Sequence, residues 1–342
     1  MQTDFIVGSL QLNSVSIPVI SDFLNFGDIL GAIKARWAIN RNNYKINPGL
    51  YAIGKPNENS NIFVTANYKL SFDHLRKNLK NIDSWILILD TKGINVWCAA
   101  GKGTFGTEEL IKQIQQTKLV EIVNHKKIIL PQLGAVGVSA HDVKKITGFH
   151  VIYGPVKASD IPDFINNKFT ASREMRTVFF PFFERIKLIP VEIIGHFQYL
   201  IFAIAVFFIL AGINSNGYSV DKAFDGGLKA MVMLLAGFLS GVAIAPALLP
   251  YIPVKQFFMK GAILAYIITG LLIYFFPGIS LFENISWFFI VPAVSAFIAM
   301  NFTGTSTYTS LSGVLKEMKL AIPLQIIFAF IGLVLWIIGR FI

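Results

Sequence analysis

The sequence predicts an α/β domain with a parallel β-sheet, followed by an all-α domain of five transmembrane helices. Charge is the first sign: of 30 Lys+Arg and 20 Asp+Glu in the 342-residue chain, 23 and 15 fall within residues 1–190. Short continuous apolar runs alternate with amphipathic stretches between residues 61 and 166. Beyond residue 190, long apolar runs dominate. The first half therefore reads as water-facing and the second as membrane-embedded.

Residues 1–60 mix Pro, Gly and Asn without clear periodicity, apart from a short amphipathic helix over Gly27–Asn40. Asn61–Ala66 (NIFVTA) then reads as a strand, and Leu70–Lys80 as a helix with Phe72, Leu75 and Leu79 on one face. Trp85–Asp90 (WILILD) is a buried-strand run. Glu108–Val123 has helical spacing, with Thr107 as N-cap and two glutamates in the first turn. Lys127–Leu130 and Phe149–Tyr153 read as strands, Ser139–Ile146 as a helix, and Ser159–Asn166 as a helix capped by Ser159. Continuous apolar strands alternating with amphipathic helices predict a parallel sheet covered on both faces, a Rossmann-like arrangement. Such sheets bind ligands beyond the carboxyl ends of their strands. Thr65–Lys69, Thr91–Thr107, Pro131–His141 and Gly154–Lys157 occupy those positions.

The domain boundaries follow: residues 1–167 form the α/β domain, 168–195 a linker, and 196–342 the membrane domain. The linker mixes Lys168, Arg173, Arg176, Arg185 and Lys187 with Phe179, Phe180, Phe182 and Phe183, a composition suited to a membrane interface or to a solvated connection. The apolar runs lie at about Phe197–Ile213, Leu228–Leu249, Gly261–Phe276, Ile285–Met300 and Leu320–Ile338. The third and fourth fall short of a span of roughly 20 residues, and Phe257, Phe258 and Phe302 extend them. Placing residues 1–190 in the cytoplasm puts Lys255, Lys260, Lys316 and Lys319 on the same side, and Lys222, Lys229 and Arg340 on the other. This satisfies the positive-inside rule and leaves the C-terminus outside a multi-pass inner membrane protein.

Several function classes are disfavoured. One cysteine permits neither an internal disulfide nor a multi-cysteine zinc or iron–sulfur site. The N-terminus lacks a signal-peptide pattern, so the first half is expected to stay where it is made. The basic residues are scattered and accompany no nucleic-acid motif, so lipid or an acidic partner is the expected counterpart of the positive charge. No span carries a charge at its centre, which argues against ion pumping, although Ser240, Ser295 and Asn301 are polar. The hydroxyl-rich loop Asn301–Ser312 reads equally as a ligand contact or as a cap on helix ends.

The segment Ile94–Thr107 (INVWCAAGKGTFGT) carries the chemistry. Asn95 can cap a short helix beginning at Val96 and Trp97, with Cys98 near its positive end and Lys102 one turn on. Ala99, Ala100, Gly101 and Gly103 allow close approach of a bulky flat partner. Cys98 can be a nucleophile, a redox thiol, a metal ligand or a small buried hydrophobe. A nucleophile needs a base, and His125, His141 and His150 share the domain, His141 nearest the binding edge. A redox thiol needs a resolving cysteine, which the chain lacks.

NVWCAAGK followed by GTFGT resembles the signature of the mercury-methylating corrinoid protein, the larger member of a two-protein system. FVTANYKLSF (63–72), ILDTKGINVWCAAGKGTFGT (88–107), LPQLGA (130–135), VIYGPV (151–156) and the five-span tail resemble the same family in order and spacing, over nearly the whole chain. The first half also resembles the corrinoid-binding domain of the corrinoid iron–sulfur protein, without its cluster cysteines. The resemblance implies an α/β Rossmann-like corrinoid-binding domain and a cobalamin-type cofactor with Cys98 as the lower axial ligand of cobalt. Asn95, Val96, Trp97, Ala99, Ala100, Gly101, Lys102 and Gly103 would form the cap helix and turn beside the corrin, with Thr65 near the ring. Gln132, Leu133, Gly134, Ala135, His141, Gly154 and Pro155 would bound the pocket for the nucleotide tail. The implied activity is an anaerobic, corrinoid-dependent mercury methyltransferase, the thiolate helping methyl leave towards Hg(II) as a carbanion equivalent. The implied partners are a small ferredoxin-like protein with two [4Fe–4S] clusters, as electron donor and mercury carrier, and a methyltetrahydrofolate-linked methyltransferase as methyl source. The alternative is a membrane-bound corrinoid carrier or sensor with another acceptor, because the chain has no cysteine pair for mercury.

Overall fold

A computed structural model describes residues 4–12, 15–278, 280–302 and 311–342. Most of the Asn301–Ser312 loop lies outside the described residues. The chain divides into two compact units, one of residues 1–35 and 39–178 and the other of residues 36–38 and 179–342.

The first unit is built on a seven-stranded sheet of β1 (Ile6–Leu12), β2 (Val15–Ile20), β3 (Gly49–Ile53), β4 (Asn61–Ala66), β5 (Ser84–Leu89), β6 (Lys127–Leu130) and β7 (His150–Tyr153). Its spatial order is β1-β2-β3-β5-β4-β6-β7. β4 is parallel to β5 and β6, and β6 to β7. The expected parallel sheet is thus present over four strands, but the whole sheet is mixed. β3 runs antiparallel to β5, and β1 antiparallel to β2. The helices are α1 (Phe26–Arg36), α2 (Lys69–Asn78), α3 (Val96–Gly101), α4 (Thr107–Gln116), α5 (Leu119–Ile122), α6 (Ala140–Thr147) and α7 (Ile161–Asn166).

Alternate residues of each central strand enter opposite cores. Ile62, Val64 and Ala66 of β4 pack with Leu110, Ile114 and Val143. Phe63 packs with Phe72, Leu75 and Phe164. Because both faces are covered, both residue sets are apolar, which is why these strands read as unbroken hydrophobic runs.

Some local expectations differ from the structure. The helix expected over Glu108–Val123 breaks into α4 and α5 at Lys118, whose φ of 49° is left-handed. Gly106, not Thr107, occupies the N-cap of α4, and the Thr107 hydroxyl instead accepts from the Ser139 amide at 2.8 Å. Ser139 caps α6 as expected, but the Ser159 hydroxyl donates to Asp160 and does not cap a helix.

An ion cluster joins α1 to α2. Lys69 Nζ bonds Asp28 and Asp73, and Arg76 bonds the same two carboxylates at 2.6 and 2.8 Å. All four side chains are almost fully buried. Arg76 also donates to the carbonyls of Ser21 and Phe23, tying down the entry to α1. Exposed pairs such as Lys187–Glu184 contribute at most about 1 kcal/mol, whereas removing one partner of a buried pair costs about 3–5 kcal/mol.

The second unit comprises α8 (Phe182–Ile186), α9 (Ile189–Ala211), a two-residue-per-strand hairpin of β8 (Ile213–Asn214) and β9 (Gly217–Tyr218), α10 (Val220–Leu239), α11 (Ala245–Ala247), α12 (Phe257–Phe275), α13 (Leu281–Asn301) and α14 (Leu311–Ile338). A π-helical turn, Ser240–Ile244, joins α10 to α11. Five helical segments among the described residues are long and apolar enough to cross a membrane: Phe182–Ala211, Val220–Ala247, Phe257–Phe275, Leu281–Asn301 and Gly313–Ile338. The part of the linker after Phe182 is therefore helical and belongs to the first of these segments. α13 is the most enclosed, packing against α10, α12 and α14. Where α12 and α13 meet, Ser295 Oγ donates to the Gly261 carbonyl, and a Cβ on Gly261 would meet the Ser295 carbonyl oxygen at 2.6 Å. Small residues let these helices approach closely.

Arg76→Ala should destabilise the first unit by about 3–5 kcal/mol, measured by denaturant unfolding of the full chain. The pH dependence has a defined sign. Burial by itself raises the Asp28 carboxyl, but the bonds and charges of Lys69 and Arg76 outweigh it and hold the group below its ordinary value. The Asp28 contribution should be fully present above about pH 4 and lost as pH falls through the lower, folded-state value.

Candidate functional site at the carboxyl edge of the sheet

The candidate site forms where the direction of winding reverses. The chain passes from β4 to β5 on one side, then crosses to β6 and β7 on the other, leaving a switch point between β4 and β6. Ligands of open α/β sheets bind at such points. α3 leaves the end of β5 and packs against β4 and the turn Gln132–Gly134 that follows β6. It therefore lies over the switch point, carrying Cys98.

Asn95 caps α3 as expected: its side-chain oxygen accepts the Cys98 amide at 2.9 Å. The short helix sorts its residues sharply. Val96, Ala99 and Ala100 face inward and join the core. Trp97, Cys98, Gly101, Lys102 and Gly103 are exposed. Val96, Ala99 and Ala100, expected beside a bound partner, are thus buried on the inner side of α3. Their sizes answer to the protein beneath: a Cβ on Gly137 would collide with the Phe105 carbonyl oxygen and lie 3.1 Å from Ala100 Cα. Likewise, a Cβ on Gly134 would meet the Phe105 ring at 2.5 Å. The 131–138 loop is thus pressed against the α3 turn.

The loop entering α3 is fixed by Asn67, a buried residue just past β4 that the motif reading passed over. Its Oδ1 accepts from the Thr91 amide at 3.2 Å, the Thr91 hydroxyl at 2.9 Å and the Gly93 amide at 2.9 Å. Its Nδ2 donates to Asp90 at 3.0 Å. The same Thr91 hydroxyl lies 2.6 Å from the Ile94 carbonyl, so its one hydrogen is shared between the two acceptors. Glu109 accepts the Asp90 amide from the far side at 2.9 Å. Gly93 has a φ of 76° and close neighbours at Asn42 and Lys45, so a side chain there would be strained and crowded. The available signal was an Asx residue directly after an apolar strand, with a Thr-x-Gly turn after the next.

Of the other expected residues, Thr65 is buried near the carboxyl end of β4. Gln132, Leu133 and Ala135 are half-buried on the second loop, and the Gln132 side-chain oxygen accepts from Arg176 at 3.3 Å. Gly154 and Pro155 are buried at the end of β7, where the Pro155 carbonyl accepts the Gln132 amide. His141 is exposed in the first turn of α6. A Tyr153 hydroxyl bond to the Val138 carbonyl, 2.6 Å, holds the intervening loop. No group of three or more His, Cys, Asp or Glu side chains suited to a metal occurs among the described residues. A shallow groove of about 680 Å³ beside Trp85, Asn57 and Glu121 lies at the opposite, amino-terminal edge of the sheet and has no part in this arrangement.

Comparison with known proteins centres on this unit. Residues 29–165 match the family described as CO dehydrogenase/acetyl-CoA synthase delta subunit. The chain is 32% identical over 126 residues to the acetyl-CoA decarbonylase/synthase complex subunit gamma of Methanopyrus kandleri, covering 36% of this chain and 27% of that protein. It is 34% identical over 124 residues to the subunit of the same name from Methanocaldococcus jannaschii, covering 36% and 25%. It is 34% identical over 122 residues to the corrinoid/iron-sulfur protein large subunit of Moorella thermoacetica, covering 35% and 27%. The chain thus spans about a quarter of the length of these relatives, and the five apolar helical segments lie outside the residues matched to the family.

Proposed function

We propose that the first unit binds a corrinoid at its carboxyl edge, with the Cys98 sulfur as the lower ligand of cobalt, and serves a membrane-anchored methyltransferase that delivers methyl to Hg(II). The observation that carries this reading is an exposed, capped cysteine on a helix over the β4–β6 switch point. The donor set fits: the exposed Cys98 would supply one soft sulfur donor to cobalt, and no competing cluster of metal ligands adjoins it among the described residues. The resemblance of the 95–107 motif to mercury-methylating corrinoid proteins supports the acceptor, and the corrinoid relatives support the cofactor.

When bound, the corrinoid supplies the metal that carries the methyl group. The protein's own residues position and shield. Asn95 fixes the Cys98 amide, so the sulfur projects from the outer face of α3. Trp97 and Lys102 flank it on the exposed side, and Gly101 and Gly103 add no bulk there, with nothing within 4 Å of a Cβ on either. Asn67, Thr91 and Phe105 hold α3 from beneath. Gln132, Leu133, Gly134, Ala135, Gly154 and Pro155 form the adjoining wall for the nucleotide tail, with His141 at its exposed rim. Thr65, near the carboxyl end of β4, would sit close to the ring. A two-cluster ferredoxin-like protein would restore the reduced metal, and a methyltetrahydrofolate-linked methyltransferase would supply methyl, at an anaerobic cytoplasmic face of the inner membrane.

A second reading, a corrinoid methyl carrier with another acceptor, is favoured by the single cysteine, which leaves no second thiol on this chain to hold mercury, and by relatives named as acetyl-CoA decarbonylase/synthase subunits.

Reduced, corrinoid-loaded protein given a methyl source and Hg(II) without oxygen should yield methylmercury, and Cys98→Ala should lose most of that activity. Methyl loading without transfer to Hg(II) would favour the carrier reading, and unchanged transfer by the variant would remove Cys98 from the reaction. Gly137→Val, which drives a side chain into the Phe105 carbonyl and Ala100, should lower corrinoid occupancy several-fold. Cobalt content per chain reads this out.

A further inference from the structure

Helix α1 is inside out. Its inward residues are Asp28, Gly31 and Ala35, and Asp28 is committed to the buried ion cluster with Lys69, Asp73 and Arg76. Its outward residues are apolar: Phe26 is 78% exposed, Ile29 49% and Ile33 48%. Leu30 is exposed between them, and Phe23, just before the helix, is 74% exposed. A helix that packs through its apolar stripe does the reverse.

The stripe has the form of an interfacial helix. At about 100° per residue, Phe26, Ile29, Leu30 and Ile33 span an arc of about 100° opposite Asp28. The exposed Lys34 falls on the margin of that arc, where a long cationic side chain can reach outward beside an apolar face. The one acidic residue of the helix is the buried, ion-paired Asp28. The accessible charges of α1 are therefore cationic and complement an anionic headgroup surface. Only Phe179–Pro181 separate Val178 from the first segment apolar enough to cross a membrane, so the first unit is tethered to that segment by a short stretch of chain.

We propose that the outward face of α1 seats the first unit on an anionic lipid surface, with Phe26, Ile29 and Ile33 at the level of the headgroups and upper acyl chains. The ion cluster under α1 then has a second role: it keeps the helix polar side down and apolar side out. This inference stands apart from the proposed cofactor and acceptor, since it uses none of the residues around Cys98.

The test uses the full chain in nanodiscs containing phosphatidylglycerol. With the native thiol removed by Cys98→Ala, a nitroxide is placed at Ile33→Cys. A control label goes at Glu121→Cys, on exposed α5 across the sheet. The label at 33 should collide several-fold less with a water-soluble nickel chelate than the label at 121, and more with oxygen. Equal chelate access at the two positions would overturn the proposal, and so would protection of position 33 from both reagents, the signature of a protein partner on this face.

Discussion

The site depends on the hydrogen bonds of one buried amide. Asn67 stands at the end of β4 and reaches across to the loop after β5, where its oxygen serves two backbone amides and a hydroxyl. Those bonds fold the chain through Thr91–Gly93 so that α3 turns back over β4. Without them, the capped turn at Asn95 would still form, but its direction relative to the sheet would be free. A buried amide of this kind is worth more than its separate bonds suggest, because each lost bond leaves another buried polar group unmatched. On this account, the position of the Cys98 sulfur is decided by a residue 31 places earlier in the chain.

A second constraint acts from below. Gly134, Gly137 and Phe105 bring the loop after β6 into direct contact with the α3 turn. The tyrosine bond to Val138 and the Thr107 bond to Ser139 fix the other side of that loop. The exposed face of α3 is thus mounted on rigid packing, as a positioning element requires. The same division explains the residues of the motif. Val96, Ala99 and Ala100 are shaped by the core, whereas Trp97, Cys98 and Lys102 face outward.

Much of this was legible in the sequence, and the reasons are physical. β4 to β7 are covered on both faces, so their apolar runs stand out from the amphipathic helices between them. Asn95 announces its cap because an Asx before a short helix satisfies amides that helix formation leaves open. β1 gave no such signal: it is an edge strand whose residues are mostly exposed. β2 carries Pro18, and β3 joins the sheet antiparallel to a strand far along the chain. The break between α4 and α5 rests on a left-handed Lys118, which residue type does not disclose. Asn67 was missed because its partners are 23 to 26 residues away and meet it only once the sheet has formed. α1 was visible as amphipathic, but only the ion cluster shows which side faces in.

The central claim is that the Cys98 sulfur is a ligand to a bound corrinoid. The most direct measurement is the anaerobic electron paramagnetic resonance spectrum of the Co(II)-corrinoid-loaded protein, wild type against Cys98→Ala. The account predicts distinct cobalt spectra, with the variant losing the signature of a strong lower ligand while keeping bound corrinoid. Superimposable spectra from the two loaded proteins would contradict it.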